Sequence, residues 1–169
     1  MAEFRSINPQ EIFDNPFKLI GSDWGLVTAG NHDSMNTMTV SWGGVGIMWN
    51  RPVAFTFIRP QRYTFEFVER EEFYSVCFFD EQYRGALSFC GSKSGRDYDK
   101  IKESGLTPVY SDGTVYYEEA KLVLICKKIA VGDIKPEQIL DKTVITRCYP
   151  DSDFHKVFVG EIVKVLEKE

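Results

Sequence analysis

The chain has 169 residues and carries 25 acidic against 20 basic side chains, a net charge of −5. This balance argues against a nucleic-acid binder, whose phosphate-facing surface needs a basic excess. No apolar run approaches the roughly 20 residues of a membrane-spanning helix, so a membrane protein is not expected. Residues 1–6 lack the basic and apolar regions of a signal peptide. Without repeats or a polar linker, the length predicts one domain over residues 1–169.

The cysteine and histidine content bears on compartment and metal chemistry. No two cysteines form a CxxC pair and the chain has only two histidines, so a metal site is not expected. The thiols are interpreted as reduced, in a cytoplasmic protein. They are Cys77, Cys90, Cys126 and Cys148.

The first half of the chain predicts short helices separated by strands. Asn8 and Pro9 indicate the start of a short helix, because Asn favours the N-cap and Pro the first helical position; residues 13–16 are predicted to end it. Stretches rich in Val, Thr and aromatic side chains predict strands. The predicted elements that follow are strands over 24–30, 35–41, 52–59 and 73–79, and a helix over 64–71 with Thr64 as its N-cap.

The second half continues this alternation. Gly105 is expected to end a helix in the left-handed conformation. Asp112 and Gly113 predict a hairpin turn, since this pair accepts the positive φ of a type I′ turn. The predicted elements are a helix over 80–89 begun by Asp80, a loop over 90–96, a helix over 97–104 begun by Asp97, a hairpin over 109–117, and strands over 122–131 and 157–166.

Strand number and connection length together predict the fold class. Six or seven strands are expected, and consecutive strands mostly lack the crossover helix that a parallel sheet requires. The sequence therefore predicts a mainly β, antiparallel protein. A closed barrel with short helices over its ends is the most economical architecture, because closure removes exposed strand edges.

Common catalytic and nucleotide-binding motifs are missing. The chain contains no P-loop, no G-x-S-x-G and no H-E-x-x-H. Residues 43–46 (GGVG) lead toward a strand rather than a helix, which argues against a dinucleotide-binding fold. His32 and His155 are too few for most catalytic triads and metal clusters. No catalytic residue is therefore assigned, and the chemistry is expected of a bound cofactor.

Residues 36–42 (NTMTVSW) alternate polar and apolar side chains at the period of a strand. The pattern alone favours an edge strand with a hydrogen-bonded polar face. The alternative is a strand end that presents its backbone and short polar side chains to a flat heterocycle.

Residues 59–64 (RPQRYT) join a predicted strand to a predicted helix. Arg59, Arg62, the Thr64 hydroxyl and the unpaired N–H groups of a helix start are the kinds of group that bind a phosphate monoester. Arg62 and Thr64 are expected at an exposed helix start. A solvated basic turn explains the pattern equally well.

Residues 90–97 (CGSKSGRD) offer similar chemistry. Two glycines allow a ligand to approach the backbone, Ser92 donates a hydrogen bond and Lys93 brings charge. A flexible surface loop is an equally good interpretation of this segment alone. Two basic, hydroxyl-bearing segments in an acidic chain nonetheless point to one small anionic ligand.

His155 precedes the last predicted strand. A single histidine at a strand start is more often a surface or packing residue, and the alternative is a neutral ring that contacts a flavin or a nicotinamide. Cys90, beside the glycine-containing loop, is not expected to be reactive without a fixed basic neighbour.

Several segments together resemble the flavin reductase-like proteins of the FMN-binding split-barrel fold, and within them the flavoredoxin-like branch. The likeness runs in order from about residue 10 to the end of the chain. The resembling segments are 36–42 (NTMTVSW), 49–52 (WNRP), 59–64 (RPQRYT), 94–100 (SGRDYDK) with 105–107 (GLT), and 155–163 (HKVFVGEIV).

The resemblance implies an antiparallel FMN-binding split β-barrel with short peripheral helices that forms a homodimer, with FMN near the dimer interface. The implied contacts to the flavin ring are Asn36, Met38, Thr39, Val40, Ser41 and Trp42. The implied contacts to the phosphate and ribityl chain are Arg59, Arg62, Tyr63, Thr64, Ser92, Lys93 and Lys100, with Lys93 and Lys100 as alternatives. The likeness of the last strand adds His155.

The implied activity is that of an NAD(P)H-dependent flavin reductase or a flavoredoxin-type electron carrier. NADH or NADPH would give hydride to FMN, and the electrons would pass to free flavin, a monooxygenase, a metal complex or a redox partner protein. A non-enzymatic FMN-binding module for sensing or storage is the alternative, since one fold serves several functions. A lipocalin-type barrel for an apolar ligand is disfavoured by the paired basic segments.

Overall fold

In a computed structural model of the protein, residues 3–169 are described and form ten strands and five short α-helices. The strands are β1 (Phe4–Ile7), β2 (Gly25–Gly30), β3 (Met35–Val40), β4 (Gly43–Met48), β5 (Arg51–Ile58), β6 (Phe73–Phe78), β7 (Pro108–Ser111), β8 (Thr114–Tyr117), β9 (Leu122–Asp133) and β10 (Lys156–Lys168). The α-helices are α1 (Pro16–Lys18), α2 (Tyr63–Arg70), α3 (Arg84–Ser92), α4 (Lys100–Ser104) and α5 (Lys142–Cys148). Short 3₁₀ turns lie at Pro9–Glu11, Glu81–Tyr83 and Pro136–Gln138, and a π-helical turn at Leu19–Asp23.

The strands pair antiparallel, which confirms the predicted mainly β class. One eight-stranded sheet runs in the order β3-β2-β6-β9-β10-β5-β4, and β1 pairs with β10. The long strand β10 serves two neighbours on one side, because its first half pairs with β5 and its last residues pair with β1. β7 and β8 form a separate hairpin. Among the described residues, no helix has the length and apolar character needed to cross a membrane.

The barrel is split rather than closed. Within residues 3–169, β3 pairs only with β2 and β4 only with β5, so the path of paired strands ends on two strands that are consecutive in the chain. The closed barrel inferred from the strand number was therefore wrong. After β3 the chain turns, and β4 pairs with β5 instead of with β3. Gly43 allows the two backbones to approach closely, because a Cβ at this position would lie 2.9 Å from the Phe55 carbonyl oxygen.

Apolar side chains fill both sides of the central strands. Along β2, Leu26 and Val27 belong to opposite core clusters, as the two-residue period of a strand requires. Phe65 of α2 lies in the cluster of Val27, and Leu87 of α3 in the cluster of Leu26. Burial of each such side chain contributes roughly 1.5–3 kcal/mol. α2 and α3 are thereby held against β2 and β3 from opposite sides, which fixes the loops at their ends.

Several local predictions are confirmed. Asp112 and Gly113 join β7 to β8 with φ values of 54° and 76°. Gly105 ends α4 in the left-handed conformation, at φ 70°. Asn8 begins the turn Pro9–Glu11 by accepting a hydrogen bond from a backbone N–H at 3.0 Å.

Two predicted N-caps were wrong. Thr64 lies inside α2, which begins after Arg62, and its hydroxyl accepts a hydrogen bond from the Asn36 side-chain amide. Asp97 lies before α4, and Asp99 accepts the capping hydrogen bond at 3.1 Å. At α2, the tertiary hydrogen bond from Asn36 occupies the hydroxyl of the predicted N-cap. At α4, the neighbouring carboxylate of Asp99 takes the capping role.

Four strands or α-helices, β1, β4, α1 and α5, were not predicted. β1 has four residues, too few to show a period. Glycines weaken the strand pattern of β4, and β-branched side chains weaken the helix pattern of α5. The segment 13–16 does not simply end a helix, because Asn15 begins α1 by accepting the Phe17 N–H. The loop predicted over 90–96 is helical as far as Ser92.

Candidate functional site

A cavity of about 240 Å³ opens where β3 leads into β4. Strand pairing explains why residues distant in sequence meet there. Ile58 of β5 pairs with Lys156 of β10, so the next residues outward, Arg59 and His155, leave neighbouring strands at the same edge. The residues that line the cavity are Met38, Thr39, Val40, Ser41, Trp42, Phe57, Arg59, Arg62, Gly91 and His155.

Trp42 supplies a flat apolar surface to this cavity. Its side chain is 49% exposed, and its ring centroid lies 5.2 Å from that of His155. Nearby, the Thr39 hydroxyl donates to the Leu87 carbonyl at 2.5 Å, which fixes β3 against α3. A half-exposed indole beside short polar side chains suits a flat heterocycle with polar edges.

Arg59 is held by groups at the back of the cavity. It donates from Nη1 to the Asp153 carboxylate and from Nη2 to the Cys148 carbonyl, the latter at 2.8 Å. Its guanidinium carbon lies 5.2 Å from the centroid of the Tyr149 ring. The hydrogen bond from Arg59 lowers the pKa of Asp153. The charge of Arg59 is therefore balanced by a carboxylate, whose second oxygen, Oδ1, is buried without a partner in the described residues.

Arg62 carries the unbalanced charge of the site. It donates from Nη2 to the Gly91 carbonyl at 2.7 Å, and among residues 3–169 it forms no ion pair with a carboxylate. Burial, and after it the charge of Arg59, lower the pKa of Arg62. A half-buried cation without a counter-ion favours an anionic ligand, which brings opposite charge and hydrogen-bond acceptors together.

Lys100, like Arg62, binds a carbonyl in the last turn of α3. Its Nζ donates to the Cys90 carbonyl at 2.8 Å and to the Thr37 carbonyl of β3 at 2.7 Å. A cation is favourable there because the last carbonyls of a helix lack partners within the helix. Burial lowers the pKa of Lys100 to about 8. The ammonium group thus joins α3 to β3, and Lys100 does not line the 240 Å³ cavity.

Ser92 and Lys93 lie at the exposed end of α3, outside the lining of the cavity. The Ser92 hydroxyl donates to the Phe89 carbonyl at 3.3 Å. The Lys93 ammonium lies 5.4 Å from the centroid of the Tyr98 ring. The structure therefore does not bring these two residues together with Trp42 or Arg62.

Asn36, Tyr63 and Thr64 lie near one another at the start of α2, also outside the cavity lining. The Asn36 amide donates to the Thr64 hydroxyl at 2.8 Å. Thr64 is buried, so the expected exposed position of this hydroxyl was wrong. The guanidinium carbon of Arg96 lies 4.7 Å from the centroid of the Tyr63 ring. The loop approaches Asn36 closely at Gly95, where a Cβ would lie 2.0 Å from the Asn36 Oδ1 and would displace this side chain.

His155 presents a neutral ring to the cavity. It is 8% exposed, and its Nδ1 lies 2.8 Å from the Tyr149 hydroxyl oxygen. Burial, and after it the charge of Arg59, lower the pKa of His155 to about 4. The imidazole is therefore uncharged at neutral pH and offers one donor and one acceptor.

Three residues of the site were missed in the sequence. Phe57 carried a usable signal, because it precedes Arg59 by two residues and a strand places such residues on one face. Tyr149 and Asp153 carried none, since they reach Arg59 and His155 only through the folding of the connection between α5 and β10.

A second cavity, of about 440 Å³, lies at the other end of β3 and is bordered by Asn36, Tyr98, Lys100 and Tyr110. Its buried polar side chains already have partners: the Thr37 hydroxyl bonds to the Thr28 hydroxyl and donates to the Val27 carbonyl. Asn36 donates to Thr64, and Lys100 donates to two backbone carbonyls. This cavity is larger than the first, but the ammonium group of Lys100 is already hydrogen-bonded to backbone carbonyls.

Fold and site together define an antiparallel split β-barrel with an aromatic, cationic cavity at its opening. The model of the family described as flavin reductase like domain matches residues 17–169. The chain belongs to this family.

Solved structures share the fold. One is the FMN-binding domain of a flavin reductases-like enzyme from Shewanella baltica OS155, at 15% identity and TM-score 0.70 over 98% of this chain and 78% of the other. The flavoredoxin of Methanosarcina acetivorans matches at 22% identity and TM-score 0.69 over 99% and 77%. The flavoredoxin of Desulfovibrio vulgaris (Miyazaki F) matches at 23% identity and TM-score 0.67 over 86% and 69%. No curated protein matches the chain.

Proposed function

We propose that the protein binds FMN in the cavity of about 240 Å³ and passes electrons from NADH or NADPH through it to an acceptor. One observation carries the proposal: a half-exposed indole, Trp42, and an unbalanced guanidinium, Arg62, line the same opening. The family and its FMN-binding and flavoredoxin neighbours support it. When bound, the flavin ring supplies the hydride- and electron-accepting chemistry.

The side chains fit the two ends of FMN. Trp42 and the polar end of β3 suit the ring, whereas the guanidinium groups of Arg62 and Arg59 suit a phosphate dianion. We assign the main phosphate contact to Arg62, and we assign Lys100 the role of holding α3 in place. Direct contacts from Asn36, Tyr63, Thr64, Ser92, Lys93 and His155 stay predictions.

A homodimer is part of the proposal. The cavity of about 240 Å³ in one chain is smaller than the roughly 300 Å³ at which ligand pockets usually begin, so a second copy is expected to complete it. Beside the half-exposed Trp42, the edge strand β4 and its turn expose Ile47 and Trp49. Exposed apolar side chains on an unpaired edge are commonly covered by a partner.

The four cysteines lie among the described residues and are free thiols. Free thiols are typical of a reducing compartment and support a cytoplasmic location. We also propose that residues 1–169 form one domain. A disulfide detected by mass spectrometry of the protein as isolated from cells would contradict this location.

The test is spectroscopic. The purified protein is titrated with FMN, and binding is expected to quench flavin fluorescence. The complex is then mixed anaerobically with NADH or NADPH, and the flavin absorbance band is expected to disappear with at least one of them. Absence of FMN binding would refute the proposal. Binding without reduction by either nucleotide would favour the non-enzymatic module for sensing or storage.

A further inference from the structure

The His155 ring is held on the side away from the cavity by a buried tyrosine. Tyr149 follows α5, is 6% exposed, and places its hydroxyl 2.8 Å from the Nδ1 of His155. The Tyr149 ring is itself packed between two groups: the Phe154 ring, tilted by 31° at a centroid distance of 4.6 Å, and the Arg59 guanidinium, 5.2 Å from the Tyr149 centroid. The hydroxyl therefore has little freedom to leave the imidazole.

Counting protons selects one tautomer of His155. A neutral imidazole carries a single N–H, on Nδ1 or on Nε2. Burial raises the pKa of Tyr149, so its hydroxyl keeps its proton, and within residues 3–169 its hydrogen-bond partner is Nδ1. A protonated Nδ1 would leave the buried hydroxyl proton without an acceptor. Donation from Tyr149 to an unprotonated Nδ1 satisfies both groups and leaves the hydrogen on Nε2.

Burial, and after it the charge of Arg59, keeps the His155 ring neutral. Arg59, from the connection between β5 and α2, disfavours a second positive charge, and Asp153, from the connection between α5 and β10, favours one. Because Asp153 is bound by both Arg59 and Gln61, its charge is largely taken up by these donors. The ring also lies against the uncharged indole of Trp42.

We propose that Tyr149 is a positioning residue that fixes His155 as an Nε2–H donor facing the cavity. The acceptor is a polar atom on the ring of the bound flavin. This inference rests on the proposed FMN site, since it names the contact that this site makes through His155.

The tautomer is read directly by nitrogen NMR of the imidazole rings. The chain has two histidines, and the exposed His32 serves as an internal reference. In the wild type, His155 is expected to show a protonated Nε2 and an unprotonated Nδ1 down to about pH 4. Its Nε2 resonance is expected to shift when FMN is added.

Tyr149→Phe removes only the hydroxyl. The two nitrogen resonances of His155 are then expected to move toward each other as the tautomers mix, and FMN affinity to fall by about 2- to 10-fold. Tyr83→Phe removes a hydroxyl from a half-buried tyrosine outside the cavity lining and is the matched control, with no change expected at His155.

Each outcome separates this inference from the proposed function. A wild-type His155 protonated on Nδ1 overturns the inference, even where Tyr149→Phe fails to fold. Unchanged tautomers in a folded Tyr149→Phe also overturn it. If FMN binds and the Nε2 resonance of His155 does not shift, the inference is refuted while the proposed function stands. Absence of FMN binding, seen by fluorescence, removes the proposed function and this contact with it.

Discussion

The two ends of β3 border two cavities whose chemistry contrasts with their size. The larger, about 440 Å³, contains Lys100 and Asn36, whose donors are bound to backbone carbonyls and to Thr64. The smaller, about 240 Å³, contains the unbalanced charge of Arg62 and the half-exposed ring of Trp42. Free hydrogen-bond donors on a half-buried cation, rather than volume, therefore distinguish the better ligand site.

Replacing Arg62 tests this contrast most strongly. Arg62→Ala is expected to weaken FMN binding by about 1.5–3 kcal/mol, the worth of a hydrogen bond to a charged group. The measurement is the FMN dissociation constant from fluorescence quenching. The control, Arg5→Ala, removes an exposed arginine of β1 that is paired with Glu167, and it should leave FMN affinity unchanged. Equal affinity in Arg62→Ala and the wild type would contradict the phosphate assignment.

Replacing Lys100 is expected to affect stability rather than binding. Lys100→Met leaves the carbonyls of Cys90 and Thr37 without their donor, so the free energy of unfolding should fall by about 1–3 kcal/mol. Urea unfolding of the protein without FMN measures this loss. FMN affinity should change less than in Arg62→Ala. A variant of normal stability that fails to bind FMN would instead make Lys100 the phosphate ligand.

The neutral His155 predicts a pH effect at the smaller cavity. Its pKa is about 4 in the folded protein against 6.5 for the free side chain, so between these values the unfolded chain binds more protons. The free energy of unfolding should therefore fall as pH drops from 6.5 to 4, by about 1–2 kcal/mol, since water entering an open cavity reduces the full effect. His155→Asn should flatten this part of the stability profile, whereas His32→Asn should retain the slope.

The sequence located much of the smaller cavity because its signals are local. The alternation in 36–42 alone favoured an edge strand, and the family resemblance of this segment assigned Met38 through Trp42 to a ligand site. The basic segment after β5 supplied Arg59 and Arg62. Both patterns depend on neighbouring residues. Their convergence on His155 depends on the register of β5 with β10, which no local pattern encodes.

Local preference does not predict the positions of Thr64 and Lys100, because tertiary contacts override it. Thr64 is a better N-cap than Arg62 by residue type, yet its hydroxyl is bound by the Asn36 amide inside the fold. Lys100 stands in a polar segment typical of a surface, yet its ammonium is drawn inward by the carbonyls at the end of α3. In each case a buried partner distant in sequence determined the outcome.

The gap in the barrel gives a bound ligand a mechanical role. Within residues 3–169, β3 and β4 each depend on one neighbouring strand, and the link between them borders the smaller cavity. A molecule bound in this cavity would contact the end of β3, the link to β4 and the end of β5. It would thereby connect the two sides of the gap in the barrel. Its departure would loosen the two edge strands first and leave β9 and β10, in the middle of the sheet, intact.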